Sequence, residues 1–265
     1  MKDACCITNG CSTASSHRKA PKTGKGETDM DIKEMQEDPK YKDFIKEMEN
    51  QMRARGRHEQ FEKAKNFRIL NRNAIKGQIL FTGSSLMEQF PITEIAKNHG
   101  IDRIIYNRGI GGYTTDDFIS EIDTVLFDLE PSRLFINIGT NDMNEREDGE
   151  DWNHHLLANY EWILKQIRER LPETDVYLMA YYPVNPTAPG SESIAHMLKI
   201  RTNDNLNMVN KQISQLAQKF GFHFIDANEG LRDENGNLKA EFTKEGLHMF
   251  ANAYEIVFHN IRQYL

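Results

Sequence analysis

The sequence predicts a single α/β domain built on a five-stranded parallel sheet with helices on both faces. The prediction depends on three observations: short apolar runs of strand length, longer segments of helical periodicity, and regular alternation of the two along the chain. Uninterrupted apolar strands are typical of parallel sheets, because both faces of such strands are buried. The predicted strands are residues 78–82, 103–106, 133–138, 175–181 and 222–225.

Three segments between the predicted strands repeat apolar residues every three or four positions, which is the spacing of one helix face. Crossover helices of this kind cover both faces of a parallel sheet and give a three-layer α/β/α sandwich. The stripes are Phe118, Ile122, Val125, Leu126 and Leu129; then Leu156, Leu157, Tyr160, Ile163, Leu164 and Ile167; then Leu206, Val209, Ile213, Leu216 and Phe220.

The first 75 residues differ in composition from the rest of the chain. Residues 1–28 have few apolar side chains, so we expect a disordered tail. Residues 29–75 are predicted to form an N-terminal helical extension, and residues 76–265 the α/β domain. The extension carries an apolar stripe, interpreted as a packing face that either caps the domain edge or forms a homodimer. The stripe consists of Tyr41, Phe44, Ile45, Met48 and Met52.

Composition argues against several classes of protein. The chain has 33 Lys and Arg against 40 Asp and Glu, a net charge of -7, whereas a nucleic-acid binder would carry a basic surface. No apolar run approaches the roughly 18 residues that span a bilayer, and no signal peptide is evident. All three cysteines (Cys5, Cys6 and Cys11) lie in the tail, where a metal site is the less favoured interpretation. The predicted location is cytoplasmic.

Ligands of open parallel sheets bind beyond the carboxyl ends of the strands, so the residues there are candidates for a functional site. Together they offer a hydroxyl, flexible glycines, an amide, an acid and an imidazole, which are the groups that acyl transfer needs. Each segment alone also has a structural interpretation, as a helix cap or a turn. The segments are Gly83-Ser84-Ser85-Leu86, the glycine-rich 107–115, Gly139-Thr140-Asn141-Asp142 and Glu245-Gly246-Leu247-His248.

These four segments resemble the blocks of the SGNH hydrolases, also called GDSL-type esterases and lipases: Gly-Asp-Ser-Leu, an isolated Gly, Gly-x-Asn-Asp and Asp-x-x-His. The resemblance implies a flavodoxin-like α/β/α fold and catalysis without a metal or organic cofactor. It implies Ser85 as the nucleophile and His248 as the general base. It further implies an oxyanion hole formed by the N–H groups of Ser85 and Gly112 and by the Asn141 side chain.

Two positions depart from the family pattern. Ser84 replaces an Asp that supports the turn, so the choice of nucleophile between Ser84 and Ser85 depends on alignment, and Leu86 directly after Ser85 favours Ser85. Glu245 replaces the usual Asp; we expect it to be the triad acid, with a backbone carbonyl that orients His248 as the alternative. A standard α/β-hydrolase is disfavoured, because Met87 occupies the last position of its Gly-x-Ser-x-Gly motif.

The expected activity is hydrolysis of carboxylic esters, either short-chain acyl esters or lysophospholipid-like ones, with a small-molecule or lipid-like ester as substrate. A carbohydrate O-acetylesterase is the nearest alternative. An inactive binding module, disabled by Glu245, is the alternative from another class. The pattern identifies no substrate-binding residue beyond the catalytic set. An apolar stretch after the fourth strand either covers the substrate or packs on the core or on a second subunit: Ile194, Met197, Leu198 and Ile200.

The other histidines are given structural roles. His154 and His155 follow Trp152 in a polar stretch, so we expect both to face solvent. His259 lies four residues after Glu255, a spacing that predicts a pair on the surface of a helix.

Overall fold

The structure is a computed structural model that describes residues 39–188 and 190–265. The chain divides into two compact units, with the boundary between Gln51 and Met52. The described part of the first unit is helical, and the second contains the sheet. The predicted tail 1–28 and its cysteines lie outside the described residues, and the division at 29–75 and 76–265 stays a prediction.

Five parallel strands form one sheet in the order β2-β1-β3-β4-β5. This confirms the predicted five-stranded parallel sheet, and each strand overlaps one of the predicted runs. The strands are β1 Ile79–Gly83, β2 Ile105–Asn107, β3 Arg133–Asn137, β4 Asp175–Met179 and β5 His223–Ile225.

Helices cover the two faces of the sheet and give the predicted three-layer α/β/α fold. They are α1 Pro39–Asn71, α2 Ser85–Glu88, α3 Ile92–Asn98, α4 Thr115–Ser120, α5 Ile122–Val125, α6 Trp152–Arg170, α7 Glu192–Met197, α8 Asn203–Phe220 and α9 Ala251–Ile261. Short 3₁₀ turns occupy Phe127–Leu129, Thr140–Asp142, Ala240–Phe242 and Arg262–Tyr264.

The two faces of the sheet have separate apolar cores, because successive side chains of a strand point to opposite sides. Leu80 and Leu134 belong to one core, and Phe81, Phe135 and Tyr177 to the other. These three aromatic rings stack across β1, β3 and β4, with centroids 4.5 Å and 4.9 Å apart. Burial on both faces explains why the strands are uninterrupted apolar runs.

The periodicity of the stripe from Phe118 to Leu129 predicted one helix, but the structure does not form one there. The segment divides into α4, α5 and a 3₁₀ turn, because the backbone leaves helical geometry at Glu121 (φ -113°, ψ 17°) and again at Leu126 (φ -144°, ψ -70°). Phe118 and Leu126 are nevertheless fully buried. Burial accounts for the apolar pattern here, so the pattern alone overestimated helix length.

Helix α1 is a single element, and much of its apolar stripe is exposed. Phe44, Met48 and Met52 are 62%, 46% and 62% exposed, so the packing face predicted for them is not formed within the described residues. The C-terminal part of α1 differs, because Ala64 is buried in one of the two cores and Phe67 packs against it.

The strand order positions the functional site. The chain moves from β1 to β2 on one side and continues at β3 on the other, which makes the gap between β1 and β3 a topological switch point. Ser85 follows β1 and Asn141 follows β3. The two residues therefore lie at the carboxyl edge where such sheets bind ligands.

Candidate active site

Ser85 begins helix α2 directly after β1, and the turn before it is specified by glycine. Gly83 has φ +149°, and a Cβ there would overlap the backbone carbonyl oxygen of Asn137 in β3. The Ser84 N–H donates to that same carbonyl at 3.2 Å. Ser84 is 1% exposed, whereas Ser85 is half-buried. The turn therefore buries the first serine and leaves the second one accessible.

His248 contacts both Ser85 and Glu245. Its Nε2 lies 3.0 Å from Ser85 Oγ, and its Nδ1 lies 2.6 Å from Glu245 Oε1. The His248 backbone N–H also donates to Glu245 Oε1, at 2.9 Å. Because acid and imidazole share one tight turn, the Glu carboxylate reaches Nδ1 despite its extra methylene. The three predicted side chains thus form one hydrogen-bonded chain.

The loop that carries the acid and the imidazole is closed by local bonds. Thr243 Oγ1 accepts a hydrogen bond from the Gly246 N–H at 2.7 Å and donates one to the His248 carbonyl at 3.0 Å. Gly246 has φ +100°, and a Cβ there would overlap the Asn185 carbonyl oxygen. This backbone arrangement holds Glu245 and His248 on the same side of the turn.

Asn141 is oriented by a residue that the sequence analysis missed. The Arg201 Nη2 donates to Asn141 Oδ1 at 3.2 Å, and Asn141 Nδ2 donates to the Tyr113 carbonyl at 2.9 Å. Arg201 is 2% exposed, and burial lowers its pKa to about 10. With the oxygen held by a cation, the amide nitrogen is directed away from Arg201. The sequence feature that could have pointed to Arg201 is its position as a lone arginine directly after the apolar stretch that ends at Ile200.

The glycine-rich loop lies against the start of α2. A Cβ at Gly109 would overlap the backbone of Glu88, and one at Gly111 would lie 3.7 Å from the Ser85 Cβ. Gly112 has φ +77°, which favours glycine. Within the described part of the chain, the N–H groups of Ser85 and Gly112 have no hydrogen-bond acceptor. Two unpartnered N–H groups are thus held on neighbouring segments.

Asp142 ties the end of β3 to the start of α4. Its carboxylate accepts hydrogen bonds from the Thr115 N–H, at 3.0 and 3.1 Å, and from the Thr115 hydroxyl. The side chain is 7% exposed. Burial raises its pKa from 3.8 to about 6, against the opposing effect of the Thr115 bonds; Asp116 adds to the rise and His155 opposes it.

We expect Asp142→Asn to reduce the pH dependence of stability. Because the folded pKa is raised, this carboxyl group stabilises the fold fully below its unfolded pKa, and that contribution is lost as pH rises through about 6. The full loss is about 3 kcal/mol, of which roughly 2 kcal/mol falls between pH 4.5 and 7.5, or on the order of 4–8 °C in Tm. Thermal melts from pH 4.5 to 7.5 should show the variant's Tm rising relative to wild type. A Tm difference that does not change with pH would contradict this.

A polar cleft of about 450 Å³ adjoins Asn141. Its lining combines hydroxyl, amide and carboxylate groups with one guanidinium. The lining residues are Thr114, Asp116, Asn141, Asp142, Asn144, Glu145, Arg146, Glu147 and Asp148.

His155 lies near this cleft and is not solvent-facing, which corrects the prediction. Its side chain is only 17% exposed, and it bonds Asp116 at 2.9 Å and Glu150 at 3.0 Å. The carboxylates of Asp116 and Glu150 therefore cover most of the His155 imidazole. His154 is 77% exposed, as predicted.

Among the described residues, one cluster has the composition of a metal site, and it is separate from Ser85. Ligand atoms of His99, Glu255 and His259 lie within 4.8 Å of one another. His99 Nε2 bonds Glu255 Oε2 at 2.9 Å and the His99 ring packs on that of His259. Glu255 thus bonds His99, and His259, its predicted partner, lies on the same helix with its ligand atom within 4.8 Å of that of Glu255.

Comparison with known families identifies the chain. Residues 91–256 match the model of the GDSL-like lipase/acylhydrolase family, a range that includes Asn141, Glu245 and His248 and begins just after Ser85. The chain belongs to this family. The resemblance to the SGNH hydrolases is confirmed, and the protein is an ester hydrolase. No curated protein sequence matches the chain.

Solved structures share the fold of this GDSL-like acylhydrolase. A Streptococcus pneumonia protein, provisionally named a platelet activating factor, is 28% identical with a TM-score of 0.70, covering 83% of this chain and 97% of its own. A GDSL-like lipase from Bacteroides thetaiotaomicron is 20% identical with a TM-score of 0.61, covering 76% and 96%. An acetylxylan esterase from Geobacillus stearothermophilus is 15% identical with a TM-score of 0.53, covering 71% and 94%. The latter two likenesses concern the fold alone.

No helix in the described part of the acylhydrolase is both long and apolar enough to cross a membrane.

Proposed function

We propose that this acylhydrolase is a serine esterase that cleaves carboxylic esters through a Ser85-His248-Glu245 triad and an acyl-enzyme. The observation that carries the proposal is the continuous hydrogen-bonded chain from Ser85 Oγ through both ring nitrogens of His248 to Glu245, with distances of 3.0 and 2.6 Å. A serine hydroxyl becomes nucleophilic when an imidazole takes its proton, and the acid fixes the tautomer that can do so.

The reaction proceeds in two halves. Ser85 Oγ attacks the ester carbonyl while His248 Nε2 takes the hydroxyl proton. His248 then gives that proton to the alcohol as it leaves, and the acyl group stays on Ser85. Water attacks the acyl-enzyme with His248 again as base, which releases the acid and restores the serine. Glu245 stays ionised and stabilises the imidazolium formed in each half.

The proposed oxyanion hole consists of the Ser85 and Gly112 N–H groups and the Asn141 amide. Support comes from the two unpartnered N–H groups and from Arg201, which holds Asn141 Oδ1 at 3.2 Å. Asn141 Nδ2 gives one hydrogen to the Tyr113 carbonyl and has a second one for the substrate oxygen. Fixed donors of this kind stabilise the charge that develops on the carbonyl oxygen in the transition state. They need no reorganisation during the reaction.

We propose short acyl groups, or lysophospholipid-like esters, as the substrate class. The half-buried apolar residues after β4, Ile194, Met197, Leu198 and Ile200, pack against one core. This supports the packing interpretation of the stretch over a cover for the substrate. Because these side chains are packed on the core and the cleft beside Asn141 is polar, the site offers little apolar surface for a long acyl chain.

A carbohydrate O-acetylesterase is the second candidate, and the polar cleft favours it. Carboxylates and amides are suitable hydrogen-bond partners for the hydroxyl groups of a sugar. Asp116, Asn141 and Asn144 line a volume of about 450 Å³, which lies within the usual size range of small-ligand pockets. The fold neighbour from Geobacillus stearothermophilus is an acetylxylan esterase, and this adds to the case.

A panel of esters that varies acyl chain and alcohol separately tests the proposal. If short acyl groups are preferred, kcat/KM on p-nitrophenyl acetate and butyrate should exceed that on the octanoate. If lysophospholipid-like esters are preferred, that order should reverse and lysophospholipid should be hydrolysed. For the second candidate, acetylated xylo-oligosaccharides should be the best substrates and longer acyl chains should bring no gain. Inertness across the whole panel would contradict both candidates and favour a binding module.

We also propose a cytoplasmic homodimer, as composition and the exposed apolar stripe of α1 suggest. Phe44 and Met48 are 62% and 46% exposed, and a second copy could bury them. Light scattering during size-exclusion chromatography should then give a mass near twice 30.7 kDa. A mass of one chain would contradict the homodimer.

A further inference from the structure

The C-terminal part of α1 contacts the glycine-rich loop beside Ser85. We propose that Gln60, assisted by the Lys63–Glu88 ion pair, is a positioning residue that fixes the direction of the Gly112 N–H. The inference rests on the proposed function, because it concerns one donor of the proposed oxyanion hole. Gln60 and Lys63 precede residue 91, where the family match begins, so the match does not include them.

The central observation is a hydrogen bond to a single peptide group. Gln60 Nε2 donates to the Gly111 carbonyl oxygen at 2.9 Å. That carbonyl belongs to the same planar peptide as the Gly112 N–H, and in a trans peptide the C=O and N–H point in opposite directions. Holding the oxygen on the α1 side therefore turns the N–H to the other side. The direction of the donor is set through its own peptide plane.

The preceding peptide is held as well. The Gly111 N–H donates to Glu88 Oε2, and the Lys63 ammonium contacts Glu88 Oε1. Glu88 lies three residues after Ser85 in α2. One carboxylate therefore connects α1, the glycine-rich loop and the short helix that begins with the nucleophile.

The loop needs this external support because of its composition. Glycine has more backbone freedom than any other residue, so an unsupported glycine pair would sample many N–H directions. Gly112 has φ +77°, and a Cβ there would lie 2.7 Å from Gln60 Nε2. Glycine is thus needed for the close approach of Gln60, and Gln60 in turn restricts the glycine.

The magnitudes indicate which contact matters more. Lys63 and Glu88 are 33% and 31% exposed, so solvent screens much of their attraction. The Gln60 bond is neutral but acts directly on the peptide in question. We therefore assign the main positioning role to Gln60 and a supporting one to the ion pair.

The test compares Gln60→Ala and Gln60→Glu with wild type on p-nitrophenyl acetate. Glu has nearly the shape of Gln but, when ionised, no donor for the Gly111 carbonyl, so both variants should lose the same function. We expect kcat to fall about tenfold with KM within about twofold, less than the roughly 10²–10³-fold loss when an oxyanion donor is deleted. Tm should stay near that of wild type, since Gln60 is half-buried at the surface.

Two further variants make the result specific. Gln51→Ala changes the same residue type on the same helix, at an exposed side chain that donates to Glu47, and should keep wild-type kcat. Gln60→Arg restores a donor and should recover part of the loss.

Values of kcat within twofold of wild type for both Gln60→Ala and Gln60→Glu would overturn the inference. So would a fall in kcat that is matched by Gln51→Ala, or one that tracks a collapse in Tm. Failure of the proposed function is distinguishable, because it would appear as full activity in Ser85→Ala, whatever the Gln60 variants do.

Discussion

Ser85→Ala is expected to abolish ester hydrolysis, with kcat lowered by about 10⁵- to 10⁶-fold. Removal of the nucleophile leaves only the residual catalysis that binding and the oxyanion donors supply. Ser85 Oγ is 3.0 Å from His248 Nε2, and among the described residues it is the hydroxyl placed to give its proton to this base. The measurement is the initial rate on p-nitrophenyl acetate with purified protein, and circular dichroism checks that the variant is folded.

Ser84→Ala is the matched control for this prediction. Ser84 is 1% exposed, and its Oγ has no hydrogen-bond partner among the described residues. Its loss removes a buried polar atom and no contact with His248, so kcat should stay within about threefold of wild type. Activity in Ser85→Ala together with inactivity in Ser84→Ala would reverse the assignment of the nucleophile.

Glu245→Gln is expected to lower kcat by about 10⁴-fold. The amide retains the size of the side chain but lacks the charge that stabilises the imidazolium, and it can hold His248 in the wrong tautomer. The effect should be large because Glu245 Oε1 bonds both Nδ1 and the backbone N–H of His248. Measurement of kcat at several pH values would distinguish a lower kcat from a shifted pH profile.

Glu245→Asp supplies the control for the Glu245→Gln prediction. It restores the residue that the family uses and keeps the carboxylate, at the cost of one methylene of reach. We expect it to retain far more activity than Glu245→Gln. A near-normal rate for Glu245→Gln would remove this acid from the triad and leave a backbone carbonyl to orient His248.

The fold could be predicted from local pattern because parallel strands are buried on both sides. Apolar runs such as 133–138 appear in the sequence with little interruption, and the strand Arg133–Asn137 lies within that run. The same reading of local pattern wrongly predicted one helix from Phe118 to Leu129. Its residues are apolar because they are buried, and burial does not require one continuous helix.

The candidate site shows the same division between local and distant information. Each predicted catalytic residue follows a strand or lies in a compact motif, so a few neighbouring residues are enough to indicate its role. These residues are Ser85, Asn141 and His248. Arg201 and Gln60 are different, because each acts on a partner 60 or 51 positions away. Contacts of that range leave no periodic signal, and only the folded chain brings them to the site.

Formation of an acyl-enzyme on Ser85 is the central step of the proposed mechanism. A fluorophosphonate, which reacts covalently with activated serine hydroxyls, tests this directly. Wild-type protein should gain one equivalent by intact mass, and peptide mapping should place the adduct on Ser85. Ser85→Ala should stay unlabelled while Ser84→Ala reacts normally. An adduct on any other residue, or an active wild-type enzyme that takes up no label, would contradict the mechanism.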